Sequence, residues 1–162
     1  MTATAHQPER PTPEEVAMWR RRLAGQANNR AWDLAERLSR TDADDQEMLS
    51  AAYAAAFFWN IVGNAKNRAH AELLLAHAYG LLRQGEQGTR HLSKAKQGFA
   101  AEKLDPSELA IVHIVEANVA AACGNAEQHR TSYAAATRAI DALPDAENRK
   151  LMSAALKAVP AP

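Results

Sequence analysis

Apolar residues recur along most of the chain at the three- and four-residue spacing that places them on one face of a helix. The clearest run comprises Ala71, Leu74, Leu75, Ala78, Leu81 and Leu82. Comparable runs begin at Ala27, Met48, Leu92, Leu109 and Leu151. This spacing is typical of amphipathic helices, and the prevalence of alanine and leucine also favours helix over strand. The pattern therefore predicts an all-α chain of about eight helices.

Signals for helix starts and ends divide these runs. The segments Thr12-Pro13-Glu14-Glu15 and Asp105-Pro106-Ser107-Glu108 each supply a capping oxygen, a proline for the first helical position and a glutamate that reaches back to the cap. Four glycines follow periodic runs at places where a left-handed residue would end a helix: Gly25, Gly63, Gly85 and Gly124. Such tight turns predict antiparallel helix hairpins.

The hairpins have a repeating character. Gly25 and Gly63 are separated by nearly the same number of residues as Gly85 and Gly124, which indicates a degenerate helical repeat. A small residue, a glycine seven positions later and a helix with aromatic and alanine positions resemble the tetratricopeptide repeat. The residues that carry this resemblance are Ala78, Gly85, Ala117, Gly124, Tyr133 and Ala136.

The resemblance covers roughly Asp44 to Ala142. Three further segments, 59–63, 68–82 and 105–116, also look like a group of bacterial tetratricopeptide-like proteins of similar size. The resemblance implies stacked hairpins forming a short right-handed solenoid, with a groove between the first helices that binds a peptide or a protein surface. It implies no activity.

The length of 162 residues fits a single domain, which we place at residues 13–158. A disordered tail is expected at 1–12, and a frayed end is expected at 159–162. Nineteen basic and nineteen acidic residues balance, so we expect neither nucleic acid nor membrane as a partner. The single cysteine, Cys123, is interpreted as buried filler among alanines, and together with the absence of an apolar leader it favours a soluble, cytoplasmic protein.

Polar residues on alanine-rich helices are the candidates for chemistry. His113 and Glu116 lie three positions apart, which is compatible with an ion pair, an oriented histidine or two ligands of one metal. A satisfied polar pair at a helix contact is the plainer interpretation. His77 is a candidate to meet His113 from the neighbouring repeat, and the plainer interpretation is that His77 is hydrogen-bonded within the helix interface. These three residues form the alternative hypothesis of a small-molecule or metal pocket.

The main hypothesis is a noncatalytic scaffold that binds a protein or peptide in the groove. The sequence contains none of the common hydrolase, phosphate-loop, dinucleotide or paired-cysteine motifs, so we expect no enzyme activity, no cofactor and no metal site. The predicted groove residues are Tyr53, Asn60, Arg68, His77, Tyr79, His113 and Glu116.

Three consecutive aromatic residues support a further alternative. Phe57, Phe58 and Trp59 spread over about 200° of a helix at about 100° per residue, so they cannot all face one partner helix. The helix is then either buried on two sides or partly exposed. In the second case these residues are candidates for self-association, and the protein is a homodimeric structural module.

Overall fold

The computed structural model describes residues 10–162 and contains seven helices and no strand in this range. The helices are α1 (Pro13–Ala35), α2 (Asp42–Val62), α3 (Ala65–Leu81), α4 (Gly85–Phe99), α5 (Pro106–Ala122), α6 (Ala126–Asp141) and α7 (Ala146–Lys157). The prediction of an all-α chain is confirmed, but the chain forms seven helices where about eight were expected. None of these seven combines the length and the apolar character needed to cross a membrane.

The predicted helix starts are confirmed in atomic detail. The hydroxyl of Thr12 accepts a hydrogen bond from the backbone N–H of Glu15, and the Glu15 carboxylate accepts one from the Thr12 N–H. Asp105 and Glu108 form the same reciprocal pair at the start of α5. Each pair satisfies two backbone donors that have no partner inside the helix.

The predicted helix end at Gly25 is wrong, because α1 continues through it to Ala35. Gln26, which directly follows Gly25, is not a residue that caps helices, and the buried neighbours Ala24 and Ala31 belong to one continuous packed face. Packing of that face outweighs the cost of a mid-helix glycine, about 1 kcal/mol. The missing turn explains why seven helices form.

The other glycines lie at or beside turns, in three different ways. Gly63 directly follows α2 but is extended, with φ −89° and ψ 162°, so the predicted left-handed conformation is wrong there. Gly124 takes the left-handed conformation after α5 with φ +70°, as predicted. Gly85 is the first residue of α4, where an added Cβ would come within 2.6 Å of the Cys123 Sγ atom. The left-handed residue of the α3–α4 turn is Arg83, with φ 58°.

The helices pair into three hairpins, α1 with α2, α3 with α4 and α5 with α6. The first helices of successive hairpins also pack together, α1 on α3 and α3 on α5, and α7 closes the end against α5 and α6. The odd-numbered helices thus form one layer, and α2, α4 and α6 each pack against helices of that layer. We call the layer of odd-numbered helices the odd-helix layer.

The core follows this arrangement, and α3 and α5 supply its centre. In α3 every residue from Leu73 to Gly80 is buried. The second half of α5 is nearly as enclosed, with Val119 and Ala120 buried close to its end. Helices with neighbours on both sides lose their amphipathic pattern, because almost every face meets another element.

Two expectations about the margins of the domain need correction. Cys123 is exposed because α5 ends one residue earlier and Cys123 caps it on the surface. Val159, expected to fray, is buried against α5 and α6, and the Pro160 carbonyl oxygen lies 2.8 Å from Nε2 of His129. That contact also makes His129 a buried residue. Nearly all of the predicted 1–12 tail lies outside the described residues.

Candidate functional site

A groove of about 300 Å³ opens on the odd-helix layer. We call it the odd-helix groove, and all four odd-numbered helices contribute to it. Its wall is mostly apolar, with a few polar groups at the edges. The residues that line it are Trp32, Glu36, His70, Ser107, Glu108, Ile111, Leu151, Met152 and Ala155. Apolar concavities with a small number of polar groups are the usual form of a ligand site.

One edge of the groove carries a carboxylate that is already paired with basic side chains. Glu108 lies 2.7 Å from Lys66 Nζ and 3.0 Å from His70 Nε2, and it accepts the 2.8 Å hydrogen bond from the Asp105 N–H that caps α5. Burial would raise the pKa of Glu108, but these hydrogen bonds outweigh it and lower the pKa to about 2. Glu108 is therefore charged and already has its partners.

The other edge carries a carboxylate in an unfavourable position. Glu36 caps the C-terminus of α1, where the helix dipole disfavours negative charge. No salt bridge joins it to another residue in the range 10–162. Burial, together with the nearby charge of Asp33, raises the pKa of Glu36. An added cation at this edge would relieve these costs.

His77 is fully buried at the junction of α1, α3 and α5. Its ring stacks on Trp32 with centroids 5.1 Å apart, and Asn118 Nδ2 donates to both Nδ1 (3.0 Å) and the backbone carbonyl oxygen of His77 (2.8 Å). Nδ1 is therefore an acceptor, and the ring proton is on Nε2, which has no hydrogen-bond partner among residues 10–162. Burial lowers the pKa of His77 to about 3, with a smaller contribution from the Arg40 charge. His77 is a neutral core residue.

The predicted pairing of His113 with Glu116 is confirmed, with His113 Nδ1 and Glu116 Oε2 3.0 Å apart. Lys96 of α4 donates to the other carboxylate oxygen at 2.7 Å. Burial works against the charge of Glu116, but the contacts with Lys96 and His113 outweigh it and lower its pKa. This cluster joins α4 to α5, and none of its contacts involves His77. The three residues of the alternative pocket hypothesis do not converge.

No group of three metal-binding side chains lies close enough together to hold an ion anywhere within residues 10–162.

Tyr53 and Tyr79 belong to a polar chain that connects α2, α3 and α4. Their hydroxyl oxygens are 2.7 Å apart, and the Tyr79 ring stacks on His91 with centroids 5.4 Å apart. His91 Nδ1 in turn lies 2.7 Å from Glu72 Oε2. Burial, followed by the hydrogen bond to Tyr53, raises the pKa of Tyr79 to about 12. The chain ties the first two hairpins together.

Asn60 and Arg68 lie on the surface at the α2–α3 turn, where Arg68 Nη1 donates to the Gly63 carbonyl oxygen at 2.8 Å. None of the seven predicted groove residues lines the odd-helix groove. The prediction selected polar and aromatic residues by type, whereas the groove is defined by which helix faces turn outward. Among the residues that line the groove, Glu108 had been singled out from the sequence, but only as a capping residue of α5.

The aromatic run divides between core and surface. Trp59 packs against a core cluster, and Phe58 is half-buried. Phe57 is 61% exposed and lies four residues from Tyr53 and from Ile61, each 46% exposed. These three side chains form an apolar stripe on one face of α2.

Models of known protein families, curated proteins and solved structures were all compared with this chain, and no significant match was found in any of the three comparisons.

Proposed function

We propose that the protein is a noncatalytic cytoplasmic scaffold that binds a segment of a partner protein in the odd-helix groove. In this proposal the hairpins follow the short right-handed solenoid of tetratricopeptide-like proteins. The packing of each first helix on the first helix of the next hairpin supports that arrangement.

The observation that carries the proposal is the pairing of an apolar wall with an unpaired carboxylate. Ile111, Leu151 and Met152 offer a surface for an apolar side chain, and Leu151 is 47% exposed although it is apolar. Glu36 lies on the same groove and forms no salt bridge with any residue of the range 10–162. The proposed ligand is therefore a peptide segment with a large apolar residue close to a lysine or arginine.

A displayed library of random peptides would test this proposal. We expect wild-type protein to enrich peptides with the apolar–basic pattern. Leu151→Asp is expected to weaken their binding by at least about tenfold, because it places a charge against a buried apolar side chain. Glu36→Gln is expected to weaken binding several-fold while leaving the protein at least as stable at pH 7.

Leu23→Asp is the matched control, because Leu23 is 42% exposed on α1 and does not line the groove. It is expected to bind selected peptides like the wild type. Failure to enrich any common pattern would contradict the proposal. Selected peptides that bind Leu151→Asp and wild type equally well would place the site elsewhere.

A second candidate function is self-association through the apolar stripe of α2. Exposed apolar side chains at Tyr53, Phe57 and Ile61 support it, because such a stripe is the form that a helix takes when it packs against another. Light scattering across a concentration series would test it. A dimer that the double substitution Phe57→Glu, Ile61→Lys converts to monomer would support this function, and a wild-type monomer at high concentration would contradict it.

A further inference from the structure

A second cavity, of about 190 Å³, lies where α1, α3, α5 and α7 all end. Four cationic side chains line it, Arg37, Arg40, Arg83 and Lys157, and no carboxylate does. We call it the cationic cavity. The whole chain has equal numbers of acidic and basic residues, so four cations around one small cavity are a local feature and do not follow from composition.

Two of the four cations already have acidic partners. Arg37 Nη1 lies 2.7 Å from Asp44, and Arg40 Nε lies 2.6 Å from Asp45. By contrast, Arg83 and Lys157 form no salt bridge with any residue in the described part of the chain. The cavity thus combines the guanidinium groups of Arg37 and Arg40, which are held by salt bridges, with two cations that remain available to bind an anion.

Cations near helix C-termini stabilise the helix dipole, and this accounts for part of the charge. It does not account for the backbone of Arg83. The α3–α4 and α5–α6 turns have the same hydrogen bonds, and Arg83 at φ 58° corresponds to Gly124 at φ 70°. Residues other than glycine are disfavoured in this conformation, because their Cβ atom crowds the backbone. The α3–α4 turn therefore retains an arginine side chain where glycine would be more stable.

The polar side chain at the wall of the cavity adds a second contact. Asn118 lines the cavity and is only 1% exposed. Its Nδ2 donates both protons to His77, so Oδ1 is the Asn118 atom still free to form a hydrogen bond. Oδ1 accepts no hydrogen bond from a side chain within residues 10–162. An oxyanion that also carries a proton could bind the cations through its charged oxygens and donate a hydrogen bond from its O–H group to Asn118 Oδ1.

We propose that the cationic cavity binds hydrogen phosphate. Guanidinium groups match the geometry of phosphate oxygens, and several cations favour a multiply charged ion over a single carboxylate. This binding is separate from partner recognition in the odd-helix groove. It assigns Arg83 a role in ligand binding that explains its strained backbone.

Thermal melting and calorimetric titration with inorganic phosphate at constant ionic strength would test the proposal. Phosphate is expected to raise the melting temperature of the wild type more than sodium chloride does, and more than sulfate, which has no proton to donate to Asn118. A phosphomonoester such as glycerol phosphate forms a second arm. Near pH 7 its phosphate group is mostly the unprotonated dianion, so it is expected to stabilise the protein less than hydrogen phosphate does. Equal or tighter binding of the ester would contradict the contact with Asn118.

Arg83→Gly is the decisive variant. Without phosphate it is expected to melt at or above the wild-type temperature, because glycine relieves the backbone strain. Its phosphate affinity is expected to fall by at least about tenfold, because a charged hydrogen bond is lost. Arg90→Gln, a change of an exposed arginine outside the cavity, is the matched control and should bind phosphate normally.

Three results would overturn the proposal. The first is a wild-type protein that phosphate stabilises no more than sodium chloride does. The second is an Arg83→Gly variant with unchanged phosphate affinity. The third is equal stabilisation by sulfate and phosphate, which would reduce the cavity to a general anion site. In the first two cases the role left for the cations is to stabilise the C-terminal ends of the helices.

Discussion

The backbone of Gly80 in α3 lies directly against the side chain of Asn118 in α5. A Cβ atom added at Gly80 would come 2.5 Å from Nδ2 and 2.7 Å from Cγ of Asn118. This absence of a side chain lets the amide of Asn118 reach the backbone carbonyl oxygen of His77, one turn earlier in α3. The two central helices are therefore joined by a buried hydrogen bond that only a glycine at position 80 accommodates.

Gly80→Ala is expected to destabilise the protein. The new methyl group must displace a buried side chain that is held by two hydrogen bonds, and overpacking of this kind costs about 1 to 3 kcal/mol. Urea unfolding followed by circular dichroism measures the change. Gly25→Ala is the control, because a Cβ there meets nothing within 4 Å and alanine is the better helix former, so stability should rise by about 0.5 to 1 kcal/mol. Equal effects of the two substitutions would contradict the close α3–α5 contact.

Stability is expected to fall as the pH drops from 6.5 towards 3, because of His77. Its pKa is about 3 in the folded protein and has the ordinary value of 6.5 in the unfolded chain. Between these values the unfolded state binds the proton more readily, so acid favours unfolding by up to roughly 1.4 kcal/mol per pH unit. His77→Phe keeps a ring against Trp32 and removes the proton site. Urea unfolding at pH 7, 6 and 5 should show a clearly smaller pH slope for the variant, and identical slopes would contradict this role.

Glu108 is expected to add a second acid-sensitive step at lower pH. Its folded pKa of about 2 lies below the ordinary 4.5, so its stabilisation is present above pH 4.5 and is lost as the pH falls through 2. Glu108→Gln should lower stability at pH 7 by about 1 kcal/mol, because the amide still caps α5 but loses the charge facing Lys66.

Near pH 2 the Glu108→Gln variant should approach the stability of the wild type, since the carboxylate is then about half protonated and most of its charge-dependent stabilisation has been lost. Glu86→Gln removes an exposed i, i+4 pair with Arg90 and should change stability by less than about 0.5 kcal/mol at any pH. A Glu108→Gln variant that matches wild type at pH 7 would show that the ion pair with Lys66 contributes nothing.

Local sequence signals predicted the features that depend on neighbouring residues. The caps at Thr12 and Asp105 and the helix end at Gly124 each require only a few adjacent side chains, and all three occur in the structure. The His113–Glu116 pair depends only on helical spacing, and it forms. Gly25 was misassigned because a glycine ends a helix only when the following residues do not continue a packed face.

The odd-helix groove could not be predicted from these local sequence signals. Trp32, Glu36 and Leu151 belong to three helices that are distant in sequence, and they share a groove only because the odd-numbered helices pack side by side. His77 was selected because it could meet His113 of the neighbouring repeat. It is buried because α1 and α5 both cover that face of α3.

The sequence by itself determined the all-helical class and most of the helix boundaries, because spacing, capping and turn residues act within a few positions of one another. The tertiary structure alone decided which helix faces became core, groove or cationic cavity. Whether a helix face is buried depends on which other helix packs against it. Those helices are distant in sequence, so local residue patterns do not reveal the pairing.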